Sequence, residues 1–317
     1  MYAPRIAAAI ALSTVFMAAG CSHPLARAAA DTTVTLEFGG LQRQYLVHYP
    51  ANRPPGPLPA VLVFHGGGGS AQNTASAFGF DKLSDANGFI AVYPEGYEKS
   101  WNDGRGDDTN ASAANIDDVG FIAAVIDRVI ADDSVDPSRV YATGMSNGGM
   151  FTEDLGCRLS DKLAAIAPVA GPLPEADVSA CAPTHSLPVL EIHGTSDPIV
   201  PYDGGVVRIT SGHHGAGSSP VLSVDATQQL WREKNACDAV STTQLPQRTD
   251  DGTSVTVRSS ECANGAKVQL YSIANGGHTW PDGPQYLPQA LVGKVSHQFD
   301  ASEVIWQFLS QFRKQPG

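Results

Sequence analysis

A serine between two glycines is the first candidate for chemistry in this chain, in the segment Gly144-Met145-Ser146-Asn147-Gly148. The segment follows the apolar run RVYAT and precedes a helical pattern. This is the setting of the nucleophile elbow, a tight strand-to-helix turn that exposes a serine hydroxyl and leaves little room for neighbouring side chains. We therefore predict that Ser146 is a catalytic nucleophile. The structural alternative is a glycine-rich turn with a helix-capping serine.

A serine hydroxyl becomes nucleophilic when a base takes its proton, and the base needs an acid to orient it. In α/β-hydrolases the acid and the base follow the serine in that order along the chain. Asp197 lies just after the apolar strand that ends in His193-Gly194, and His278 lies just after the strand KVQLYSI. The spacing predicts a Ser146, Asp197, His278 triad. A turn-capping Asp197 and a polar loop His278 are the alternatives.

The oxyanion of an acyl-transfer reaction needs preorganised donors. One candidate is the backbone N–H of Asn147, the residue after the nucleophile. The other is the glycine loop of residues 65–69, since glycine lets a backbone N–H approach a substrate oxygen closely. We predict that Gly67 supplies this second donor, with Gly66 and Gly68 as the alternatives. The loop is not a phosphate-binding loop, because no G-K-[ST] continuation follows it.

These residues require a sheet that brings strand ends together. Continuous apolar runs separated by helical stretches predict a mostly parallel sheet with helices on both faces, the α/β-hydrolase fold in a single domain. A hairpin about Gly39-Gly40 predicts an antiparallel edge, and Asp117 to Asp132 predicts an amphipathic helix. A last helix is predicted over Ala301 to Phe312, and a surface excursion over Tyr202 to Ser223. The runs predicted as buried strands are Ala60 to Phe64, Phe89 to Tyr93, Val140 to Thr143, Ala164 to Val169, Val189 to Ile192 and Val268 to Ile273.

The overall charge excludes several classes of partner. A formal net charge of −12 gives no basic surface for nucleic acid or for an anionic membrane. Asp103, Asp107, Asp108, Asp117 and Asp118 have no EF-hand spacing, and no cysteine spacing is typical of a metal site. We expect no metal and no cofactor, and no feature of the sequence specifies an oligomeric state.

The first thirty residues are typical of an export signal. Arg5 precedes an apolar run too short to span a bilayer, and the run ends in Ala18-Ala19-Gly20-Cys21. This ending resembles the bacterial lipoprotein box, in which the cysteine is lipidated and becomes the mature N-terminus. We predict a signal over residues 1–20, a tether over 21–32 and a catalytic domain over 33–317. Cleavage after residue 30 at an A-x-A site, giving a secreted protein without an anchor, is the alternative.

Four cysteines remain once Cys21 is assigned to export. An even number in an exported protein predicts two disulfides, although four cysteines permit three pairings. We favour pairing between the cysteines closest in sequence, which joins Cys157 to Cys181 and Cys237 to Cys262.

Six ordered motifs resemble one family. They are HGGGGS at 65–70, SWNDGRG at 100–106, NIDDVGFI at 115–122, RVYATGMSNGGM at 139–150, HGTSDPIVPY at 193–202 and GGHTWP at 276–281. Together they resemble the exported esterases grouped with polyhydroxybutyrate depolymerases and with feruloyl and acetylxylan esterases of carbohydrate esterase family 1. The resemblance implies an ester hydrolase with Ser146 as nucleophile, Asp197 as acid, His278 as base and the two cystines above.

The resemblance also suggests aromatic residues at the rim of the site. Trp280 and Trp101 are predicted to bind substrate by stacking on a feruloyl ring or a sugar face, with structural packing as the alternative for each. The expected substrates are feruloyl or acetyl carbohydrate esters or short hydroxyalkanoate esters. An acyltransferase with the same triad, and a surface lipoprotein that binds without turnover, are the alternative functions.

Overall fold

The computed structural model describes residue 1, residues 31–208 and residues 219–314. The two predicted cleavage sites and Cys21 lie outside these ranges, and so do residues 209–218 of the predicted excursion. In the ranges described, no helix combines the length and the apolar character needed to cross a membrane.

A large, mostly parallel β-sheet organises the molecule. The strands, in chain order, are β1 (Asp31–Phe38), β2 (Leu41–His48), β3 (Leu58–Phe64), β4 (Ile90–Pro94), β5 (Val135–Met145), β6 (Ala165–Val169), β7 (Val189–Gly194), β8 (Gly205–Val206), β9 (Pro220–Val221), β10 (Ser241–Gln244), β11 (Ser254–Glu261) and β12 (Lys267–Ala274). In the described part of the chain, ten of them form one sheet in the order β1-β2-β4-β3-β5-β6-β7-β12-β11-β10. β8 and β9 pair separately, inside the predicted excursion.

The centre of the sheet is parallel, and both edges are antiparallel. The strands from β4 to β12 in the sheet order run parallel, as the apolar runs predict. The hairpin β1–β2 turns at Gly39 and Gly40, which both adopt positive φ, and it lies antiparallel to β4. β1 begins at Asp31, so the domain starts two residues before the predicted boundary. The edge made by β11 and β10 is antiparallel and was not predicted.

Helices cover both faces of the sheet. They are α1 (Ala71–Phe78), α2 (Phe80–Asn87), α3 (Asn110–Ala113), α4 (Asp118–Asp133), α5 (Asn147–Arg158), α6 (Val224–Lys234), α7 (Gln289–Val292) and α8 (Ala301–Leu309). Successive residues of β3 enter opposite cores: Leu62 packs with α4, α5 and α6, and Val63 packs with α1, α2 and α8. α4 begins where predicted because Asp117 caps its first turn, whereas α8 ends three residues before Phe312.

Two disulfides fix the ends of helices. Cys157 in the last turn of α5 is bonded to Cys181, and Cys237 just after α6 is bonded to Cys262 at the end of β11. The bonds close loops with sequence separations of 24 and 25 residues, so each stabilises the fold by about 3 kcal/mol on the loop-entropy model. Disulfides of this kind are typical of oxidising compartments outside the cytosol.

Candidate active site

Ser146 lies on a sharp turn between β5 and α5. Its backbone adopts φ 60° and ψ −123°, a conformation that non-glycine residues rarely take, and its N–H donates to the carbonyl of Val169 at 2.9 Å. A Cβ on Gly144 would lie 2.5 Å from the carbonyl oxygen of Gly148, and one on Gly148 would lie 2.5 Å from that of His65. The two glycines of the motif are therefore required by close backbone packing, which holds the serine in its strained conformation.

Asp197 and His278 are joined by a hydrogen bond. They follow β7 and β12, which are neighbouring parallel strands, so both lie at the carboxyl edge of the sheet. His278 Nδ1 lies 2.7 Å from Asp197 Oδ2, and both residues are buried. The other oxygen, Oδ1, accepts the backbone N–H groups of Ile199 and Val200 at 2.8 Å each. The carboxylate is therefore fixed in position, and Nδ1 of His278 must carry the proton that it donates.

The pKa of Asp197 lies well below its usual value. Burial alone would raise the pKa, but the charge of His278 and the hydrogen bonds from neighbouring imidazoles and backbone groups outweigh the burial. The carboxyl group is therefore ionised throughout the neutral pH range. An ionised carboxylate at Nδ1 stabilises the imidazolium that forms when His278 accepts a proton at Nε2.

Ser146 lies at the same edge as this pair, because β5, β7 and β12 are parallel strands of one sheet. Among the residues the structure describes, neither Ser146 Oγ nor His278 Nε2 has a hydrogen-bond partner. Both atoms can therefore form a hydrogen bond with each other or with substrate, and catalytic hydrogen bonds commonly shorten only when substrate is bound. The arrangement is suited to proton transfer from a serine hydroxyl to an imidazole.

The glycine loop after β3 packs against the elbow. A Cβ on Gly66 would lie 3.4 Å from Cβ of Ser146, and one on Gly67 would lie 3.8 Å from Cβ of Asn147. Within the described ranges, the backbone N–H groups of Gly67 and Asn147 have no hydrogen-bond acceptor. Asn147 is the first residue of α5, whose N-terminal end also carries positive partial charge. These two N–H groups are the candidate oxyanion donors.

His65 fixes the shape of the glycine loop. Its Nδ1 donates to the carbonyl of Gly66 at 2.8 Å, because Nε2 accepts the N–H of Gly96 at 2.9 Å. Burial lowers the pKa of His65, so the ring is neutral and suited to this pair of bonds. The indole Nε1 of Trp101 donates to the carbonyl of His65 at 2.9 Å and closes the other side of the loop.

The side chain of Asn147 fastens a second loop to the elbow. Its Oδ1 accepts the N–H of Trp101 at 2.8 Å, and its Nδ2 donates to the carbonyl of Trp101 at 3.0 Å and to Asp103 Oδ2 at 2.5 Å. Asp103 is in turn paired with the guanidinium of Arg105 at 2.8 Å, and both are buried. We refer to the three bonds of the Asn147 carboxamide as the Asn147 clamp.

The burial of both predicted substrate-binding tryptophans contradicts their assignment. Trp101 is fully buried and stacks on Phe151 with ring centroids 5.0 Å apart. Trp280 is 3% exposed, stacks on Phe78 at 4.0 Å and donates from Nε1 to Ser302 at 3.0 Å. Both rings belong to the core, and Trp101 contributes to the site by holding the glycine loop and Asn147.

Sequence reasoning missed a segment with exposed apolar side chains that contacts His278 through Tyr286. Tyr286, Leu287 and Leu291 are exposed by 47%, 40% and 47%, and the Tyr286 hydroxyl donates to the carbonyl of His278 at 3.1 Å. We call these three side chains the apolar rim. The sequence signal was present, because residues 283–292 carry no charge and have neither helical nor strand periodicity.

Three of the acidic residues considered for a metal have protein partners. Asp103 pairs with Arg105, Asp118 pairs with Arg43 at 2.7 Å, and Asp117 caps α4. In the described ranges, one group has ligand atoms close together, namely Asp31, His48 and Asp81. It lies at the amino end of β4, opposite the edge that bears Ser146. We assign no metal to either set.

Comparison with known proteins gives concordant results. Residues 43–238 match the family model described as esterase PHB depolymerase. NocK of Nocardia uniformis subsp. tsuyamanensis, which is named as an esterase, is 32% identical over 297 residues, covering 89% of this chain and 84% of NocK. Feruloyl esterase B of Piromyces equi is 30% identical over 233 residues, covering 71% of this chain and 40% of that protein.

Solved structures show the same fold. An acetyl xylan esterase from Aspergillus awamori superposes with a TM-score of 0.57 at 16% identity, covering 79% of this chain and 94% of the esterase. A thermostable esterase superposes with a TM-score of 0.55 at 14% identity, covering 89% and 63%. At these identities the likeness establishes the α/β-hydrolase architecture alone.

Proposed function

The chain belongs to the esterase PHB depolymerase family and is a carboxylic ester hydrolase, and we propose that it is an exported serine esterase that works through an acyl-enzyme. The observation that carries the proposal is the 2.7 Å hydrogen bond between Asp197 and His278, at the sheet edge where Ser146 occupies its strained turn. This is the arrangement that a serine needs to become a nucleophile.

In the proposed mechanism, Ser146 Oγ attacks the ester carbonyl while its proton passes to His278 Nε2. The resulting oxyanion accepts the N–H groups of Gly67 and Asn147, each contributing about 3 kcal/mol of transition-state stabilisation. His278 then protonates the leaving alkoxide, and the carbonyl re-forms as an ester on Ser146. A water molecule, deprotonated by His278, attacks this acyl-enzyme and releases the acid and the free serine.

We propose that the substrate is an uncharged ester with an apolar part, such as a feruloyl or acetyl carbohydrate ester or a short hydroxyalkanoate ester. The apolar rim of Tyr286, Leu287 and Leu291 supports this, since exposed apolar side chains next to a reacting centre favour contact with apolar ligand groups. The relatives named as feruloyl and acetylxylan esterases agree with this class of substrate.

The proposed location is the cell envelope, with lipid anchoring at Cys21. The two disulfides support a compartment outside the cytosol, and Ala18-Ala19-Gly20-Cys21 supports the anchor over plain secretion. Metabolic labelling with an alkyne fatty acid tests the anchor, because Cys21→Ser should abolish the label. A wild-type protein that stays unlabelled and appears in the medium would establish secretion instead.

The catalytic proposal is tested with purified wild-type protein and the Ser146→Ala variant. We expect wild type to hydrolyse p-nitrophenyl acetate and to be labelled by a fluorophosphonate, and Ser146→Ala to lose labelling and at least 1,000-fold in kcat/KM. Ser241→Ala, which makes the same change on the exposed strand β10, should retain both properties. A panel of methyl ferulate, acetylated xylan and hydroxybutyrate oligomers then ranks the substrates.

Three results would contradict the proposal. Retention of most activity in Ser146→Ala would remove this serine from the mechanism. Absence of both labelling and hydrolysis in wild type would favour a protein that binds esters or glycans without turnover. Transfer of the acyl group to a sugar in preference to water would instead identify an acyltransferase.

A further inference from the structure

A row of buried polar side chains continues from the proposed triad into the core. We call Asp197, His193 and Glu191 the buried polar chain. His193 Nε2 lies 3.4 Å from Asp197 Oδ2, the same oxygen that His278 Nδ1 approaches to 2.7 Å. His193 Nδ1 lies 3.7 Å from Glu191 Oε1. The side chains of Asp197, His193 and Glu191 are fully buried, so two imidazoles compete for one carboxylate oxygen away from solvent.

The contacts of His193 fix one of its protons. Nε2 faces two acceptors, Asp197 Oδ2 and the carbonyl of Val200 at 3.0 Å, so Nε2 must carry hydrogen. On the other side of the ring, Nδ1 and Glu191 Oε1 face each other, and among the described residues neither has a hydrogen-bond partner. The 3.7 Å separation is longer than a hydrogen bond, so the contact between Nδ1 and Oε1 is an attraction between charges rather than a shared hydrogen.

A second proton on Nδ1, facing the Glu191 carboxyl group, makes His193 a cation. Burial alone would lower the pKa of His193, but its contact with Asp197 and the nearby charge of Glu191 outweigh burial and raise it to about 9. Glu191 accepts Gln228 Nε2 at 3.1 Å through its other oxygen, and burial raises the pKa of Glu191 while His193 and this hydrogen bond oppose the shift. Burial of His193 between two carboxylates is thus the reason for its positive charge.

Apart from His278 itself, the described groups around these residues supply no second cation at Asp197. Glu153 of α5 is fully buried, and burial together with the charge of Glu191 raises its pKa well above the usual value. Its Oε2 accepts the indole N–H of Trp231 at 2.6 Å. In the described ranges, the remaining titratable or charged groups that face these residues are Tyr202, Asp225 of α6, Arg258 of β11, His278 and Tyr286.

We propose that His193 is a positioning residue for the Asp197–His278 pair: as a buried imidazolium it holds the Asp197 carboxylate and offsets part of the negative charge that His278 feels. The inference rests on the proposed function, in which His278 is the base. Esterase activity requires His278 in its free-base form, and an uncompensated carboxylate at Nδ1 would keep His278 protonated to higher pH.

His193→Gln tests the inference through the pH dependence of kcat/KM. The acid limb of this profile reports the pKa of the free enzyme's base. Removal of the cation should move the acid limb up by about one pH unit and lower plateau kcat several-fold, with KM little changed. Hydrolysis of p-nitrophenyl acetate is followed from pH 5 to 9 at the wavelength where nitrophenol and nitrophenolate absorb equally.

His48→Gln is the matched control. His48 is also buried and also contacts carboxylates, but it lies at the opposite edge of the sheet. Its replacement should leave the acid limb within 0.2 pH units of wild type, about the reproducibility of such profiles. An unmoved acid limb in an active, folded His193→Gln variant would overturn the inference.

A second measurement uses the His48→Gln protein, because His48 also lies between carboxylates that raise its pKa. In this protein labelled with ¹⁵N-histidine, NMR should show one imidazole that keeps both N–H protons up to pH 8, with slow exchange against solvent. Neutral imidazoles throughout at pH 8 would overturn the inference even if His193→Gln fails to fold. Failure of the proposed function is distinct, because it is read from the absence of Ser146-dependent hydrolysis in wild type.

Discussion

The Asn147 clamp predicts that a side chain with no direct part in the chemistry controls the rate. In Asn147→Ala the backbone N–H remains, but three buried hydrogen bonds to Trp101 and Asp103 are lost. The two neutral bonds contribute about 1 kcal/mol each, and the bond to the carboxylate contributes about 2 kcal/mol. We therefore expect the free energy of unfolding to fall by about 4 kcal/mol.

The same substitution should reduce kcat more than it raises KM. Without the clamp, the loop bearing Trp101 separates from the elbow, and Trp101 also holds the carbonyl of His65 and therefore the glycine loop. A shift of the oxyanion donors by about 1 Å costs roughly 100-fold in rate, because the donors are aimed at an oxygen that forms only in the transition state. Urea unfolding measures the first effect, and p-nitrophenyl acetate kinetics well below the unfolding temperature measure the second.

Asn110→Ala is the matched control for this change. Asn110 is in the same region of the chain, and its Nδ2 makes a solvent-exposed bond to the carbonyl of Glu98 at 3.2 Å. We expect its unfolding free energy to change by less than about 0.5 kcal/mol and its kcat to be unchanged. If Asn147→Ala loses stability while its kcat stays within threefold of wild type, the clamp is structural only. If it loses neither, the argument from buried hydrogen bonds is wrong.

Two further predictions concern a buried carboxyl group and the apolar rim. Burial and the charge of Asp177 raise the pKa of Asp154 to about 7, so its ionisation destabilises the folded state as pH rises from about 4 to 7. Relative to Asp154→Asn, wild type should lose about 2–3 kcal/mol between pH 5 and 8 in urea unfolding, and parallel pH profiles would refute this. In Leu287→Ser/Leu291→Ser, KM for p-nitrophenyl butyrate should rise about fivefold with kcat unchanged, since the two changes together remove about 1 kcal/mol of apolar contact. Val240→Ser, at a side chain with 43% exposure, should leave KM unchanged, and an equal rise in both variants would exclude a binding role for the rim.

The central sheet could be predicted because its strands are buried on both faces. A strand such as β3 is apolar throughout, so its sequence identifies it without knowledge of the neighbouring strands. The end of the strand then shows where a functional loop begins. Ser146, Asp197 and His278 could therefore be placed at one edge before any contact was known. β10 was missed for the opposite reason, since all four residues of Ser241–Gln244 are exposed and polar.

The predictions failed where a side chain's environment depends on distant parts of the chain. Trp280 looks like a rim residue from its position two residues after His278, but Phe78, about 200 residues earlier, covers its ring. The charge of His193 depends on Glu191 being enclosed by α5 and α6, and sequence spacing does not encode that enclosure. An acidic residue in an apolar strand was the one available signal, because unpaired carboxylates are rarely buried.

The features proposed to make this site active also destabilise the folded state, and the disulfides lie on the structural elements that carry these features. Ser146 is strained, the N–H groups of Gly67 and Asn147 have no acceptor among the described residues, and α5 carries the buried Glu153 near Glu191 of β7. Cys157–Cys181 fixes the carboxyl end of the same helix α5. Cys237–Cys262 joins the end of α6 to the end of β11. Gln228 of α6 donates a hydrogen bond to Glu191, and β11 pairs with β12, the strand that precedes His278. Each disulfide contributes about 3 kcal/mol, which is comparable to the cost of one strained residue or one unpaired buried group. The cystines therefore stabilise the helices that enclose His193 and Glu191 behind Asp197. This stabilisation offsets part of the free energy that is lost when these polar side chains are buried.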